Sequence, residues 1–161
     1  MIVLIECVIL CMVFTLMVFV MAKNPIATLY NYPPKIRQKV ESMEEYKDKI
    51  PTTKNMIDAK LTAAILIVII VSLILRYINN YTTFIDAFKY SFIIWSVVNI
   101  YDLVVMYILW FCQSDRFVFK GTEDIRHEYR NYWFHIKEGI IGQVIGTIVC
   151  LVIACVVGFV L

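Results

Sequence analysis

The sequence predicts an all-α, polytopic membrane protein with four transmembrane helices in a bundle and two cytoplasmic amphipathic helices. Hydrophobic residues make up 61% of the 161 residues and charged residues only 17%, whereas about a quarter of a soluble domain is charged. The apolar residues are concentrated in four long runs, and most basic residues lie beside those runs. A chain of this length leaves no room for a separate soluble domain, so we expect a single membrane domain over residues 1–161.

The four predicted spans cover residues 2–22, 61–78, 84–112 and 139–161, each to within a few residues. The first is apolar apart from Glu6 and Thr15, and it lacks the basic segment that opens a signal peptide. We therefore predict a transmembrane helix that is retained. Every run is long enough to cross the hydrocarbon core as an α-helix that rises about 1.5 Å per residue.

The first polar connection, residues 23–60, is predicted to contain an amphipathic helix. Pro34 suits the first position of a helix and Pro51 ends it, because proline lacks the N–H that a helix interior uses. Apolar side chains recur at helical spacing between the two prolines, at Ile36, Val40, Met43 and Ile50. The pattern favours a helix on the membrane surface or against the second polar connection, and a solvated linker helix is the alternative.

The second polar connection, residues 113–138, is predicted to form one helix over residues 122–137, with Thr122 as its cap and Gly139 as a point where the chain bends. His127, His135 and Glu123 are the candidates for catalysis, through proton transfer or metal binding. The alternative is a polar cytoplasmic face with hydrogen-bonded histidines. Since the spacing is not HExxH and no nucleophile or phosphate-loop motif is present, we favour a protein without enzymatic activity, metal or cofactor.

The distribution of basic residues predicts the orientation. Thirteen of the 15 Lys and Arg residues lie in the connections 23–60 and 113–138, and the other two are Arg76 and Lys89. Cytoplasmic loops are enriched in Lys and Arg, so both connections are predicted to be cytoplasmic and both termini extracytoplasmic, in the cell membrane. The net charge of +2 is too small for a nucleic-acid-binding surface, and no nucleic-acid partner is expected.

Asp102 is the most costly residue of the predicted spans, because it falls near the middle of the third. A carboxylate facing lipid at that depth costs about 2.5–3.5 kcal/mol, so Asp102 should face the protein interior and be protonated or bound to a cation. With α-helical periodicity, Ser91 and Asn99 share its face, and Gln143 of the fourth span is a potential partner. This polar site is either a proton- or cation-binding site on a transport path or a hydrogen-bonded group that fixes helix register.

The fourth span carries small residues at every fourth position: Gly142, Gly146, Cys150, Ala154 and Gly158. Such a stripe lets two helix backbones approach closely, either within one chain or in a homo-oligomer formed through the fourth span. Four of the five cysteines lie inside the apolar runs, where they act as small hydrophobes. Cys112, at the end of the third span, is the one suited to lipidation or redox chemistry.

Three functional classes follow. The first is a small carrier, or an oligomeric membrane component, that uses the buried acid. The second is a non-catalytic interaction subunit whose cytoplasmic helices dock a protein partner, and the third is an interfacial enzyme acting on a lipid headgroup. The chain is similar to the small multidrug transporters in three features: four spans, a first-helix glutamate (Glu6) and a glycine-rich last helix. The long connection 23–60 departs from that pattern.

Overall fold

The computed structural model describes residues 2–161 of the chain, and within them the protein is helical with no β-strand. Four helices are long and apolar enough to cross a membrane: Val3–Met21, Thr53–Ile78, Phe84–Phe111 and Tyr132–Val160. The predicted all-α class and the presence of four helices long and apolar enough to span a membrane are therefore confirmed. The arrangement of the four helices as one bundle and the amphipathic role of the connections stay predictions.

The α-helices are α1 (Ile2–Met21), α2 (Pro34–Glu41), α3 (Glu44–Lys47), α4 (Thr53–Leu73), α5 (Phe84–Tyr101), α6 (Arg126–Tyr129) and α7 (Tyr132–Cys155). Three of them continue as π-helix, α4 over Ile74–Ile78, α5 over Asp102–Phe111 and α7 over Val156–Val160. Short 3₁₀ helices occupy Pro25–Asn31, Asp115–Phe117 and Glu123–Ile125.

Two predicted spans begin earlier than the apolar runs indicated. α4 starts at Thr53 and not at residue 61, and α7 starts at Tyr132 and not at residue 139. An apolar run marks the part of a helix that hydrocarbon can surround, whereas the backbone hydrogen bonds continue into polar residues. At the start of α7 the Asn131 side chain accepts a hydrogen bond from the Phe134 N–H at 3.0 Å, so the cap lies at Asn131.

The prediction of one helix over residues 122–137 was wrong. The segment contains the 3₁₀ turn Glu123–Ile125, then α6, and the chain leaves helical geometry at Arg130 before α7 begins. Thr122 does not cap: its hydroxyl is buried, donates to the Phe119 carbonyl and lies 2.7 Å from the Tyr129 hydroxyl. α7 also runs through Gly139 without interruption.

The first connection likewise forms two short helices, α2 and α3, in place of one helix. Met43 separates them in an extended conformation, with φ −88° and ψ 124°. The Ser42 hydroxyl donates to the Lys39 carbonyl at 2.6 Å, which competes with helix continuation at that point. The turn Pro25–Asn31 before α2 had no periodic signal in the sequence.

The chain divides into two compact units. Unit 1 contains the residues up to Val8, Thr53–Asn99 and Ile140–Leu161. Unit 2 contains Ile9–Thr52 and Ile100–Gly139. Each unit is described by itself below, and the single membrane domain stays a prediction.

In unit 1, the small-residue stripe of α7 is the side that packs against α5. Ala154 and Cys150 are fully buried, and the ring of Trp95 fills the space that a Cβ atom at Gly146 would need. A Cβ at Gly142 would lie 3.1 Å from the Asn99 Oδ1 atom, and one at Gly158 would lie 2.8 Å from the Phe84 backbone nitrogen. Within this chain the stripe is thus occupied by an intramolecular neighbour, and a homo-oligomer through the fourth span stays a prediction.

Unit 2 has an aromatic core that joins the two polar connections. Its buried members include Leu29, Tyr32, Ile36, Val40, Phe111, Cys112, Phe117, Phe119 and Tyr129. Two ion pairs lie beside this core, Lys35 to Glu128 at 2.5 Å and Lys39 to Asp124. The apolar spacing of Ile36 and Val40 therefore reflects packing against the second connection, since both side chains are fully buried.

Candidate functional site

Asp102 lines a cavity of about 250 Å³ inside unit 2. One wall comes from the end of α1, with Phe14, Met17, Val18, Met21 and Ala22, and a second from the loop residues Thr28, Asn31 and Tyr32. The third wall holds Asp102, Met106, Tyr107, Phe111 and Phe117. The cavity is largely apolar and aromatic, with one acid, which is the composition of a small-molecule site.

The π-helical winding of the Asp102–Phe111 segment explains how the third wall forms. In an α-helix, which turns about 100° per residue, Asp102 and Phe111 would point to opposite sides. In a π-helix, with about 4.4 residues per turn, nine residues return to nearly the same direction. The segment carries the corresponding i to i−5 hydrogen bond, from the Cys112 N–H to the Tyr107 carbonyl at 2.9 Å. π-Helical turns are frequent at functional sites, and here the winding brings Asp102, Met106, Tyr107 and Phe111 to one cavity.

Tyr32 is a further lining residue of this cavity, and its hydroxyl is buried. Its side chain is 2% exposed, and within residues 2–161 its hydroxyl has no hydrogen-bond partner. The ring is held edge-on to Phe111 at a centroid distance of 4.9 Å and also contacts Phe119 at 5.1 Å. Burial, reinforced by Tyr129 and Tyr107, raises the pKa of Tyr32 far above its ordinary value, so the hydroxyl stays neutral and can donate or accept.

The Asp102 carboxylate makes no hydrogen bond or ion pair with any group in the described part of the chain. The side chain is half-buried, and it belongs to unit 2. A carboxylate in this position is satisfied by a proton, by water or by a cation that enters the cavity.

The other residues of the predicted polar site lie in unit 1. The structure joins Asn99 and Gln143, whose side chains share a hydrogen bond of 3.2 Å, and the Gln143 amide also donates to the Ser96 hydroxyl at 3.0 Å. Ser91 is not part of this network: its hydroxyl donates to the Ala87 carbonyl at 2.8 Å. The Asn99–Gln143 pair links α5 to α7, whereas a register-fixing role for Asp102 stays a prediction.

The three candidate catalytic residues have separate surroundings. His135 is buried among aromatic rings, stacked on Tyr107 at 4.8 Å and edge-on to Phe111 at 5.2 Å. The Tyr129 backbone lies near its ring, but neither ring nitrogen makes a hydrogen bond of ordinary geometry within the described chain.

His127 and Glu123 are solvent-exposed. His127 Nε2 lies 3.2 Å from a Glu128 oxygen, and Glu123 accepts a hydrogen bond from the Gly121 N–H at 3.0 Å. Hydrogen bonds to backbone N–H groups lower the pKa of the Glu123 carboxyl. Residues 2–161 contain no group of three or more His, Cys, Asp or Glu side chains placed to hold a metal.

Glu6, a polar residue of the first predicted span, belongs to a hydrogen-bonded cluster in unit 1. It accepts a hydrogen bond from the Tyr90 hydroxyl and a second from the Asn79 amide nitrogen at 3.2 Å. The same nitrogen lies 2.8 Å from the Tyr90 hydroxyl. Both donors to Glu6 are neutral groups, a hydroxyl and an amide, and Tyr90 is buried. The cluster links α1 to the turn that follows α4 and to α5.

Sequence reasoning identified Asp102 but missed Tyr32 and the rest of the cavity wall. Tyr32 lies in a segment with no periodic pattern, between the turn Pro25–Asn31 and α2. Its aromatic side chain within a polar connection was the only signal in the sequence. Comparison of the chain with protein-family models, with curated proteins and with solved structures gives no match.

Proposed function

We propose that this multi-pass membrane protein is a small carrier, or a component of an oligomeric carrier, that binds a small organic cation at Asp102. The observation that supports the proposal is a carboxylate without a protein partner at a cavity whose other lining residues are mostly apolar or aromatic. An anion in such a place attracts a cation, because the alternative is an uncompensated charge away from bulk water.

The lining specifies the class of ligand further. The aromatic rings of the cavity offer faces that attract cations and pack against apolar groups. Thr28 and Asn31 add two polar side chains to the lining, and these can exchange hydrogen bonds with an N–H donor. A volume of about 250 Å³ corresponds to roughly eight water molecules at about 30 Å³ each. A primary amine on a small apolar body fits these properties.

Binding is tested by calorimetric titration of the purified chain in detergent with benzylammonium and with benzyl alcohol, its neutral analogue. Because the ion pair contributes only with the ammonium, Asp102→Asn should weaken benzylammonium binding at least tenfold and leave benzyl alcohol unchanged. Asp58→Asn, an exposed acid at the start of α4, is the matched control and should bind benzylammonium like the native chain. Equal affinity of the native chain and Asp102→Asn for benzylammonium would refute the proposal.

The proposed orientation places the connections 23–60 and 113–138 in the cytoplasm and both termini outside, because these connections carry thirteen of the 15 basic residues. The cavity then lies toward the cytoplasmic connections, since Thr28, Asn31 and Tyr32 line it. Single cysteines in a cysteine-free chain test this orientation in intact cells. Cysteine at Lys47 or Arg126 should resist an impermeant thiol reagent and cysteine at Thr82 should react, and the reverse pattern would show the opposite orientation.

A further inference from the structure

Three basic side chains, Arg126, His127 and Arg130, line a second cavity in unit 2, an open notch of about 360 Å³. The first two belong to α6, and Arg130 is the residue at which the chain leaves this helix. No other residue lines the notch. A surface recess lined by two arginines and a histidine favours an anion.

The acidic neighbours of the notch leave part of its charge uncompensated. Arg126 Nη2 pairs with Asp115 Oδ1 at 2.5 Å, and the Glu128 carboxylate beside His127 is also bound by Lys35. Arg130 is exposed and forms no ion pair within residues 2–161. One full positive charge and the exposed His127 ring therefore face the solvent at this point.

The notch lies directly before the last membrane-spanning helix. Tyr132 and Trp133 open that helix with side chains that are 41% and 73% exposed. Exposed aromatic residues at the end of an apolar helix are typical of the level of the lipid headgroups. Arg116, in the same connection, lies over the ring of Phe19 near the end of α1 and adds a further positive charge to unit 2.

We propose that Arg126, His127 and Arg130 form a site for the phosphate of an anionic phospholipid headgroup. The planar guanidinium of Arg130 presents paired N–H donors that match two phosphate oxygens. His127 Nε2 faces Glu128, so the ring adds a donor through Nδ1 when it is protonated. The exposed Trp133 ring packs against the glycerol and upper acyl region of the same lipid, because its body is apolar and its N–H needs a polar partner. The site requires nothing of the Asp102 cavity.

The test uses the purified full chain in a neutral detergent, titrated with dioctanoyl phosphatidic acid and with dioctanoyl phosphatidylcholine. Native mass spectrometry counts the bound lipids. The native chain should prefer phosphatidic acid at least tenfold, and Arg130→Gln should lose at least fivefold of that preference. Lys120→Gln removes an exposed charge of the same connection outside the notch and should stay within twofold of the native chain.

Three outcomes would overturn the proposal: no preference for phosphatidic acid in the native chain, an equal loss in Lys120→Gln, or displacement of the lipid by equimolar inorganic phosphate. The second outcome would indicate a diffuse positive surface, and the third a site for free phosphate. If Arg130→Gln does not elute as a folded species in size-exclusion chromatography, Arg130→Lys replaces it. That variant keeps the charge but not the fork of donors, and it should lose about threefold; an unchanged preference would refute bidentate recognition.

Discussion

Replacement of Gly146 by alanine tests the contact of α7 with α5 in unit 1. The space that the new methyl group needs is filled by the Trp95 indole, and the nearest atoms are Cε2, Nε1 and Cδ1 of its five-membered ring. The tryptophan ring is rigid, so either its side-chain torsions or the helix backbone must move. The same substitution at Gly139 meets only the side chain of Leu103, with the nearest methyl carbon at 3.3 Å.

The expected free-energy change is the sum of two opposing effects. Alanine in place of glycine in a helix interior stabilises by about 0.8–1.0 kcal/mol, whereas overpacking costs about 1–3 kcal/mol. Gly139→Ala should therefore be stabilising or neutral, because the Leu103 methyl can rotate away. Gly146→Ala should be destabilising by up to about 2 kcal/mol. Gly146→Ile should cost about 3 kcal/mol, because its β-branched side chain is larger and gains less helix propensity.

A double-mutant cycle separates the steric clash from other effects of the substitution. Alanine at position 95 removes the indole that fills the Gly146 space, so Trp95→Ala should relieve most of the cost of Gly146→Ala. The free energies of unfolding are measured by circular dichroism during sodium dodecyl sulfate titration in mixed micelles. A Gly146→Ala chain as stable as Gly139→Ala, with no coupling to position 95, would refute the proposed contact.

Three further results are expected. Hydrogen bonds from Lys35 to Glu128 and from Lys39 to Asp124 lower the pKa of each carboxyl. The stabilisation from these ion pairs is therefore present above the ordinary carboxyl pKa of about 4 and is lost as pH falls through the lower pKa values of the folded chain. The melting temperature should drop below pH 4, and it should drop less in Lys35→Gln. Burial raises the pKa of the Cys112 thiol to about 11, although Arg130 opposes the shift. N-ethylmaleimide should therefore label Cys112 at pH 7 far more slowly in the folded chain than after unfolding. Equal labelling rates would contradict the burial of Cys112. Trp133 fluorescence in liposomes should be quenched by lipids brominated near the headgroup, and a lack of quenching would place this residue away from the membrane.

The number and the class of the helices could be predicted because both depend on composition and length. A run such as residues 61–78 identifies a span without knowledge of its neighbours. The helix ends could not be predicted in the same way. α4 begins eight residues before that run, at Thr53, because helical hydrogen bonding has no need of apolar side chains. The break at Arg130 coincides with the Asn131 cap and with the buried Thr122–Tyr129 contact, two local interactions that the periodic pattern does not reveal.

The candidate site was predicted in part for a similar reason. Asp102 could be identified from its depth in an apolar run, since the free-energy cost of a carboxylate that faces lipid follows from that depth alone. Its surroundings were derived from a period of 3.6 residues, which is correct for α5 up to Tyr101 and incorrect from Asp102 onward, where the π-helix begins. The π-helical winding from Asp102 onward therefore brings Phe111 to the side of Asp102, which a period of 3.6 residues does not predict.

The groups that lack partners in unit 2 are concentrated around one cavity. Asp102, Tyr32 and Tyr107 line this cavity. Tyr107 stacks on His135, which is not a lining residue. The ring nitrogens of His135 make no hydrogen bond of ordinary geometry in the described chain. A buried polar group without a partner costs about 1–3 kcal/mol, which is a large part of a total stability of about 5–15 kcal/mol. Apolar side chains of similar size would remove that cost while keeping the fold. Unpartnered polar atoms also occur in unit 1, but those side chains border neither of the two cavities. A cationic ligand in this cavity, as proposed above, would supply the Asp102 carboxylate with the partner that the described chain does not provide.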